Sequence, residues 1–146
     1  MYKRQALYKG YSADITRTVF CENITDEHAK IYDAVLAANT IGRDIAAPSV
    51  TCHELDLKVS NTLYNAGFEE LTVHKTGHGL GLDIHEAPNV MLNNHTSLES
   101  GMLITIEPGL YRSNDIGVRI EDDVLITDGG CKSLTTFERG PLIVGK

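Results

Sequence analysis

The stretch Thr76-Gly-His-Gly-Leu-Gly-Leu-Asp-Ile-His-Glu-Ala-Pro88 carries most of the information about the fold. Glycines flank its first histidine, His78, and His85 follows seven residues later. Glycines on both sides of a histidine remove neighbouring side chains, so backbone or a ligand can approach closely. A phosphate-binding loop is a weak alternative, because no Gly-Lys-Ser/Thr follows and no helix is predicted to begin there. The stretch therefore indicates a strand that carries a candidate functional histidine.

Three other segments place an acidic residue on or beside a predicted strand. Asp14 lies in SADITRT, Glu107 ends a β run in TIEPGLY, and Glu121 lies within GVRIEDDVLIT. A carboxylate in a buried strand is costly unless it is ion-paired or coordinated. Considered one at a time, these residues have structural interpretations. Asp14 would be a turn residue, and Glu107 or Glu121 would form an ion pair with Arg119. Together, three carboxylates and one imidazole suit Mn²⁺, Co²⁺ or Fe²⁺, whereas structural zinc prefers thiolates.

Two helices are predicted in the first half of the chain. Thr25 is followed by Asp26 and Glu27, and an N-cap threonine with acids in the first turn favours a helix start. The second helix is predicted to begin with the capping box Thr51-Cys-His-Glu54 and to end at Gly67. Both segments are amphipathic, so each must lie against another layer. The apolar stripe of the first helix comprises Ile31, Ala34, Val35, Ala38 and Ile41, with Pro48 bounding the segment.

The remaining segments predict strands. Residues 6–20 predict a hairpin in which Gly10 and Ser12 offer the turn, and residues 102–106 and 118–126 are rich in strand formers. We find no internal repeat and no linker. We therefore expect an α+β fold in which two helices pack on a mostly antiparallel sheet.

Composition excludes several classes of protein. The chain has 146 residues and a formal net charge of −7, which argues against nucleic-acid binding. No apolar run approaches the roughly 20 residues of a membrane helix, and the N-terminus lacks the apolar segment of a signal peptide. Cys21, Cys52 and Cys131 are far apart and odd in number, which favours free thiols in the reducing cytoplasm.

The four motifs SADITRT, TGHGLGLDIHEAP, TIEPGLY and GVRIEDD occur in that order, and together they resemble the pita-bread-fold metallopeptidases. Within that family the chain is most similar to the Xaa-Pro aminopeptidase and Xaa-Pro dipeptidase (prolidase) branch. Methionine aminopeptidases share the layout but match the VRIEDD segment less well. The resemblance runs from Ala6 to about Leu142. It implies a pita-bread fold and metal-dependent hydrolysis of the peptide bond on the N-terminal side of proline.

The resemblance also implies a ligand set for two divalent metal ions. Asp14 corresponds to the bridging aspartate, His78 and Glu107 to ligands of the first metal, and Glu121 to a glutamate that bridges both. Manganese is the expected metal, and cobalt, zinc and iron stay open.

Further residues take roles from the same resemblance. His85 corresponds to a catalytic histidine that contacts the substrate, and His74 to a second substrate-side histidine. Arg119 corresponds to a substrate-side arginine beside the bridging glutamate. Glu107 would serve as the general base for a metal-activated water that attacks the peptide carbonyl.

The chain departs from the family at its N-terminus. The fifth ligand, an aspartate, should stand eleven residues before Asp14, where this chain has Lys3, and Gln5 occupies a glycine position. Lysine adds a positive charge in place of a chelating carboxylate. We therefore expect at most one tightly bound divalent ion in this chain.

Residues 1–5 prompt a separate hypothesis. GTG-TAT-AAG-AGA-CAG, with GTG as a start codon, encodes Met-Tyr-Lys-Arg-Gln and matches the end of a transposase adapter used in sequencing libraries. We expect residues 1–5 to be a non-native, adapter-derived leader and residues 6–146 to be the C-terminal portion of a metallopeptidase catalytic domain. Such a truncated chain would itself be inactive.

The expected partner is a peptide substrate with proline in second position, with no nucleic acid and no membrane, and a homodimer stays open. Two alternatives stand beside this function. One is a non-catalytic, peptide-binding pseudo-enzyme on the same fold, and the other is an activity like that of methionine aminopeptidases. Loss of the ligand at Lys3 favours the pseudo-enzyme, whereas retention of the other ligands opposes it.

Overall fold

The structure is a computed structural model that describes the backbone of residues 2–145 and the side chains of residues 5–145. Its two helices are α1 (Asp26–Ile45) and α2 (Cys52–Asn65), and a short 3₁₀ helix spans Glu69–Leu71. The strands, in chain order, are β1 (Tyr2–Tyr8), β2 (Tyr11–Arg17), β3 (Val19–Cys21), β4 (Gly77–Gly79), β5 (Glu86–Val90), β6 (Leu103–Ile106), β7 (Gly109–Arg112), β8 (Ile116–Arg119), β9 (Asp122–Thr127), β10 (Gly130–Ser133) and β11 (Leu142–Val144).

Both helices begin where their capping residues predict. The Thr25 hydroxyl accepts a hydrogen bond from the backbone N–H of His28, and Thr51 and Glu54 form both bonds of the capping box. The second helix ends at Asn65, two residues before the predicted Gly67, which adopts a φ of +86° just beyond the end. A positive φ at that position is typical of a glycine that terminates a helix.

The central sheet has five strands in the order β10-β9-β6-β4-β5, and every neighbouring pair is antiparallel. Helices α1 and α2 pack against each other and cover this sheet with their apolar stripes. The predicted α+β class is therefore confirmed. Fully buried core residues come from both layers, among them Ile31, Val35, Leu55, Val59, Ile104, Ile106 and Val124.

The N-terminal hairpin, predicted over residues 6–20, ends at Arg17, because Val19 and Phe20 belong to β3 and pair in parallel with β11. It differs from its prediction in two further ways. Strand β1 begins at Tyr2 rather than at Ala6, and Gln5 lies opposite Asp14 in the ladder. The turn is formed by Lys9 and Gly10, which both have positive φ, while Ser12 belongs to β2. A two-residue turn with positive φ at both positions matches the twist of a hairpin, so Ser12 is released to the strand.

Residues 118–126, which are rich in strand formers, belong to two strands rather than one continuous strand. Strand β8 pairs with β7, whereas β9 pairs with β6 and β10, and the chain changes partner at Ile120 and Glu121. Glu107 and Pro108 form the matching gap between β6 and β7. Two predicted ligands, Glu107 and Glu121, therefore lie at the same junction between two sheets.

Neither described helix combines the length and apolar character needed to cross a membrane. The three cysteines are free: Cys52 is buried, Cys131 is half-buried and Cys21 is exposed.

Candidate metal centre

Asp14 lies in the middle of β2 with its side chain 1% exposed. Its backbone N–H donates to Asp123 Oδ2 at 3.1 Å, and the Gln5 side-chain amide donates to Asp14 Oδ2 at 2.9 Å. The Gln5 contact is one that glycine, the residue expected at this position from the resemblance, could not make. The prediction about Lys3 concerns a side chain outside the described part of the chain.

His78 occupies the three-residue strand β4, which lies between β5 and β6. A Cβ at Gly77 would lie 1.9 Å from the Thr105 carbonyl oxygen, and one at Gly79 would lie 2.4 Å from the Ala87 carbonyl oxygen. Of the two expected reasons for these glycines, backbone or ligand, close approach of neighbouring backbone is the one observed.

The orientation of the His78 ring is fixed by the backbone. Nδ1 lies 2.9 Å from the Gly79 carbonyl oxygen, which accepts a hydrogen bond from that nitrogen. When one ring nitrogen donates a hydrogen bond to a carbonyl, the lone pair of the other nitrogen can coordinate a metal. Nε2 accordingly faces the acidic cluster and lies 3.2 Å from Glu107 Oε1.

Glu107 and Glu121 are both buried at the junction between the sheets. Glu107 accepts a hydrogen bond from the Thr105 hydroxyl at 3.2 Å, and Arg119 Nη1 lies 3.6 Å from its Oε2. Glu121 accepts a hydrogen bond from the Thr16 hydroxyl, and its backbone bridges to that of Thr16 across the junction. Both carboxylates thus accept a hydrogen bond from a threonine hydroxyl, Glu107 from β6, the strand that it follows, and Glu121 from β2.

One ligand atom each from Asp14, His78 and Glu121 lies within 4.8 Å of the others, and all three residues are buried. Glu107 adjoins this group through its contact with His78. Three carboxylates and an imidazole are ligands of hard and borderline divalent ions, so the residues fit a divalent metal. The structure brings together all four residues predicted as ligands.

The acidic surroundings change the protonation of His78. Burial by itself lowers its pKa, but the close Glu107 carboxylate, the Gly79 carbonyl and the charge of Glu121 outweigh burial, so the pKa is raised above its ordinary value. A proton on this imidazole does what a metal ion would do, which is to place positive charge among the carboxylates.

The predicted substrate-side residues lie at the edge of this cluster. His85 is exposed in the loop before β5, and its ring centroid lies 4.3 Å from that of His78. His74 and Arg119 contact each other, with His74 Nε2 3.4 Å from Arg119 Nη2, and Arg119 adjoins Glu107.

Tyr111 joins His74 and Arg119, and sequence reasoning missed it. Arg119 Nε donates to the Tyr111 hydroxyl at 2.7 Å, and that hydroxyl lies 3.0 Å from His74 Nε2. Burial raises the pKa of Tyr111 against the opposing effect of the Arg119 charge. A Cβ at Gly109 would lie 2.6 Å from the tyrosine hydroxyl, so the glycine in TIEPGLY makes room for it. Gly109 was therefore the one feature of the sequence that could have indicated a role for Tyr111.

Comparison with known proteins places these observations in a family. The profile of metallopeptidase family M24 matches residues 5–128. The Xaa-Pro dipeptidase of Pyrococcus furiosus is 43% identical over 134 residues, which are 92% of this chain and 38% of that protein.

Solved structures agree with this match. The prolidase of Pyrococcus horikoshii OT3 superposes with a TM-score of 0.94 at 42% identity, over 96% of this chain and 40% of that one. The X-Pro aminopeptidase of Thermotoga maritima superposes with a TM-score of 0.94 at 36% identity, over 97% of this chain and 40% of that one.

The chain thus spans about two fifths of the length of these relatives. The pita-bread fold implied by the four motifs is confirmed by the superpositions. With the family profile, the identity to prolidases and the cluster of Asp14, His78, Glu107 and Glu121 in agreement, the chain belongs to metallopeptidase family M24.

Proposed function

We propose that this chain forms the metal centre and part of the substrate cleft of a metal-dependent peptidase that cleaves on the N-terminal side of proline. The observation that carries the proposal is the buried cluster of Asp14, His78 and Glu121, with Glu107 beside it. Burying several carboxylates together is unfavourable unless a cation balances them. The names of the relatives, Xaa-Pro dipeptidase and X-Pro aminopeptidase, supply the substrate class.

Each residue near the cluster has a role in this proposal. A bound divalent ion supplies Lewis acidity to the peptide carbonyl and lowers the pKa of water. Glu107 takes up the proton of the attacking water, since Arg119 and Thr105 hold its carboxylate in place. His85, which is exposed beside His78, contacts the substrate and stabilises negative charge on the carbonyl oxygen.

We infer that His74, Tyr111 and Arg119 together form one part of the cleft wall. Their mutual hydrogen bonds hold the guanidinium towards Glu107 and fix the orientation of the His74 imidazole. Proline in the substrate lacks an amide hydrogen and has a fixed φ, so recognition depends on shape and on contacts with the residue before it.

Several finer points belong to the proposal. Manganese is the expected metal, with cobalt, zinc and iron as alternatives. The three free thiols favour a reducing compartment such as the cytoplasm. A homodimer is an alternative that light scattering of the purified chain would test. Residues 1–5 are proposed as adapter-derived, and the source DNA upstream of the Ala6 codon tests that origin.

The function is tested by metal content and turnover together. We expect the 146-residue chain to retain at most one Mn²⁺ after dialysis, and His78→Ala to retain none. The double variant Lys3→Asp/Gln5→Gly, which restores the ligand pattern of the family, should retain a second ion. Two tightly held ions in the unaltered chain would contradict the expected stoichiometry, and no retained ion would contradict the metal site.

Turnover is measured with an Ala-Pro dipeptide, using Ala-Leu as the matched control substrate. We expect activity on Ala-Pro to be greater in the Lys3→Asp/Gln5→Gly variant than in the unaltered chain and to disappear on adding a chelator. Equal cleavage of both dipeptides would contradict the proline specificity.

A peptide-binding pseudo-enzyme is the second candidate function. It is favoured by the hydrogen bond from Gln5 to Asp14 Oδ2, because that bond occupies an oxygen which a second metal ion would use. Under this alternative the chain binds a proline-containing dipeptide without hydrolysing it, and the restored variant stays inactive.

A further inference from the structure

The junction that carries Glu107 and Glu121 has a gap in its backbone hydrogen bonding. The last pair between β6 and β9 is Ile106 with Asp122, and the first pair between β7 and β8 is Gly109 with Arg119. Between these pairs, the Ile120 N–H donates to the Pro108 carbonyl at 3.4 Å. A regular antiparallel pair would return a bond from residue 108 to the Ile120 carbonyl. Proline has no amide hydrogen, so the ladder offers that carbonyl no donor.

Asn39 on α1 supplies the missing donor. Its Nδ2 donates to the Ile120 carbonyl at 3.3 Å and to the Ile106 carbonyl at 3.1 Å, which uses both amide hydrogens. The side chain is 0% exposed, and Arg43 Nε donates to its Oδ1 at 2.9 Å, which fixes the orientation of the amide.

The two carbonyls belong to the peptide groups that enter Glu107 and Glu121. The N–H of the first peptide donates to the Thr76 carbonyl at 2.8 Å, and that of the second donates to the Thr16 carbonyl at 3.1 Å. Each peptide group is therefore held from both sides, and one amide group of Asn39 links the two.

Close packing of the helix makes this link short enough. Gly42 lies one turn after Asn39 on the same face of α1, and a Cβ at Gly42 would lie 2.8 Å from Ile106 Cγ2. The absence of a side chain there lets α1 approach β6, which brings the Asn39 amide within reach of the strand ends.

We propose that Asn39 is a positioning residue that sets the separation of the Glu107 and Glu121 carboxylates and so tunes the affinity of the site for a divalent ion. The inference rests on the proposed function, because it concerns the same metal centre. Residues that orient metal ligands from behind typically change metal affinity by roughly 10–100-fold when removed.

The test is a Co²⁺ titration of the full 146-residue chain, followed by the visible absorption of the ion. We expect Asn39→Ala to raise the Co²⁺ dissociation constant roughly tenfold or more and to alter the absorption spectrum. Asn39→Asp keeps the side-chain size and the contact with Arg43 but loses both donors, so it should weaken binding as well. This second variant carries the test if the alanine variant does not fold.

Tyr32→Phe is the matched control, because the Tyr32 hydroxyl also lies on α1 and donates to backbone carbonyls, those of Arg139 and Gly140. We expect it to lower stability with an unchanged dissociation constant and spectrum. Wild-type binding by a folded Asn39 variant, or equal weakening by Tyr32→Phe, overturns the inference alone. Failure of the unaltered chain to bind Co²⁺ overturns the proposed function and this inference with it.

Discussion

Glu121 and Asp122 are adjacent acids, both 0% exposed, yet their surroundings are opposite. Glu121 lies beside Asp14 and His78, which are residue types common in metal sites, and accepts a hydrogen bond from the Thr16 hydroxyl. Asp122 faces the other way into a group of arginines. Two equally buried carboxylates therefore have different roles: the one balanced by arginines stabilises the fold, and the other is left to bind a cation.

Arginines from three parts of the chain surround the Asp122 carboxylate. Arg17 Nη2 donates to Oδ1 at 2.7 Å and Arg139 Nε donates to Oδ2 at 2.7 Å, while Arg43 Nε lies 3.6 Å from Oδ2. Arg17 also donates to the Glu121 carbonyl at 2.7 Å. The arginine cluster therefore neutralises one acid with the chain's own cations and fixes the backbone of the other.

Asp122→Ala should produce the largest effect. Removing this carboxylate leaves the buried Arg17 and two half-buried arginines without their counter-charge, and breaking a buried pair from one side costs about 3–5 kcal/mol. Urea denaturation with and without Mn²⁺ measures the change in the free energy of unfolding. A large loss should be present in both conditions, and a loss seen only with Mn²⁺ would remove the contrast between the two acids.

Glu121→Gln should act on metal binding rather than on the fold. A ligand that binds only the folded state stabilises it by about 2.7 kcal/mol at a concentration 100 times its dissociation constant. We expect saturating Mn²⁺ to raise the melting temperature of the unaltered chain and to leave that of the variant nearly unchanged. Glu54→Gln, on the exposed start of α2, is the control that should keep the Mn²⁺ response. An unchanged response in Glu121→Gln would place the ion elsewhere.

Asp123, which follows Glu121 and Asp122 in the sequence, makes the stability of the fold depend on pH. Burial, with the charges of Asp14 and Asp122, raises its pKa from 3.8 to about 6, against a hydrogen bond from the Asp14 backbone. Because the folded pKa exceeds the unfolded one, ionisation destabilises the fold, so stability in chelator should rise as pH falls from about 7 towards 4. In Asp123→Asn this contribution to the pH dependence of the free energy of unfolding should vanish. Parallel pH profiles for both proteins, measured by urea denaturation, would contradict the raised pKa.

Arg112→Ala should have the smallest effect. Arg112 is ion-paired with Glu27 at 2.5 Å and with Asp115 at 3.1 Å, but these groups lie at the surface, where solvent and salt screen the attraction. We expect no resolvable shift of the urea midpoint at physiological ionic strength. A loss of stability as large as that of Asp122→Ala would show that the burial of an ion pair does not decide how much it contributes to stability.

Local signals in the sequence predicted much of the fold and the ligand set. Thr25 and the Thr51–Glu54 capping box fix helix starts through bonds spanning three residues. Asp14, His78, Glu107 and Glu121 were identified from their motifs, and the structure brings them together.

The partners of these residues could not be predicted, because they come from distant parts of the chain. Asn39 contacts carbonyls 67 and 81 residues away, and Arg17 reaches Asp122 over 105 residues. The change of partner at Ile120 was invisible for a similar reason, since an apolar β run looks the same whichever strand it pairs with.

The glycines on either side of His78 are required by the backbone packing and not by metal binding. With a neighbouring carbonyl oxygen 1.9 Å or 2.4 Å from where a Cβ would stand, Gly77 and Gly79 tolerate no side chain even in a protein that never binds metal. In a saturation library selected only for folding, Gly77 and Gly79 should be replaced less often than His78. The two glycines of the motif therefore identify the fold, and the histidine between them alone reports on the chemistry.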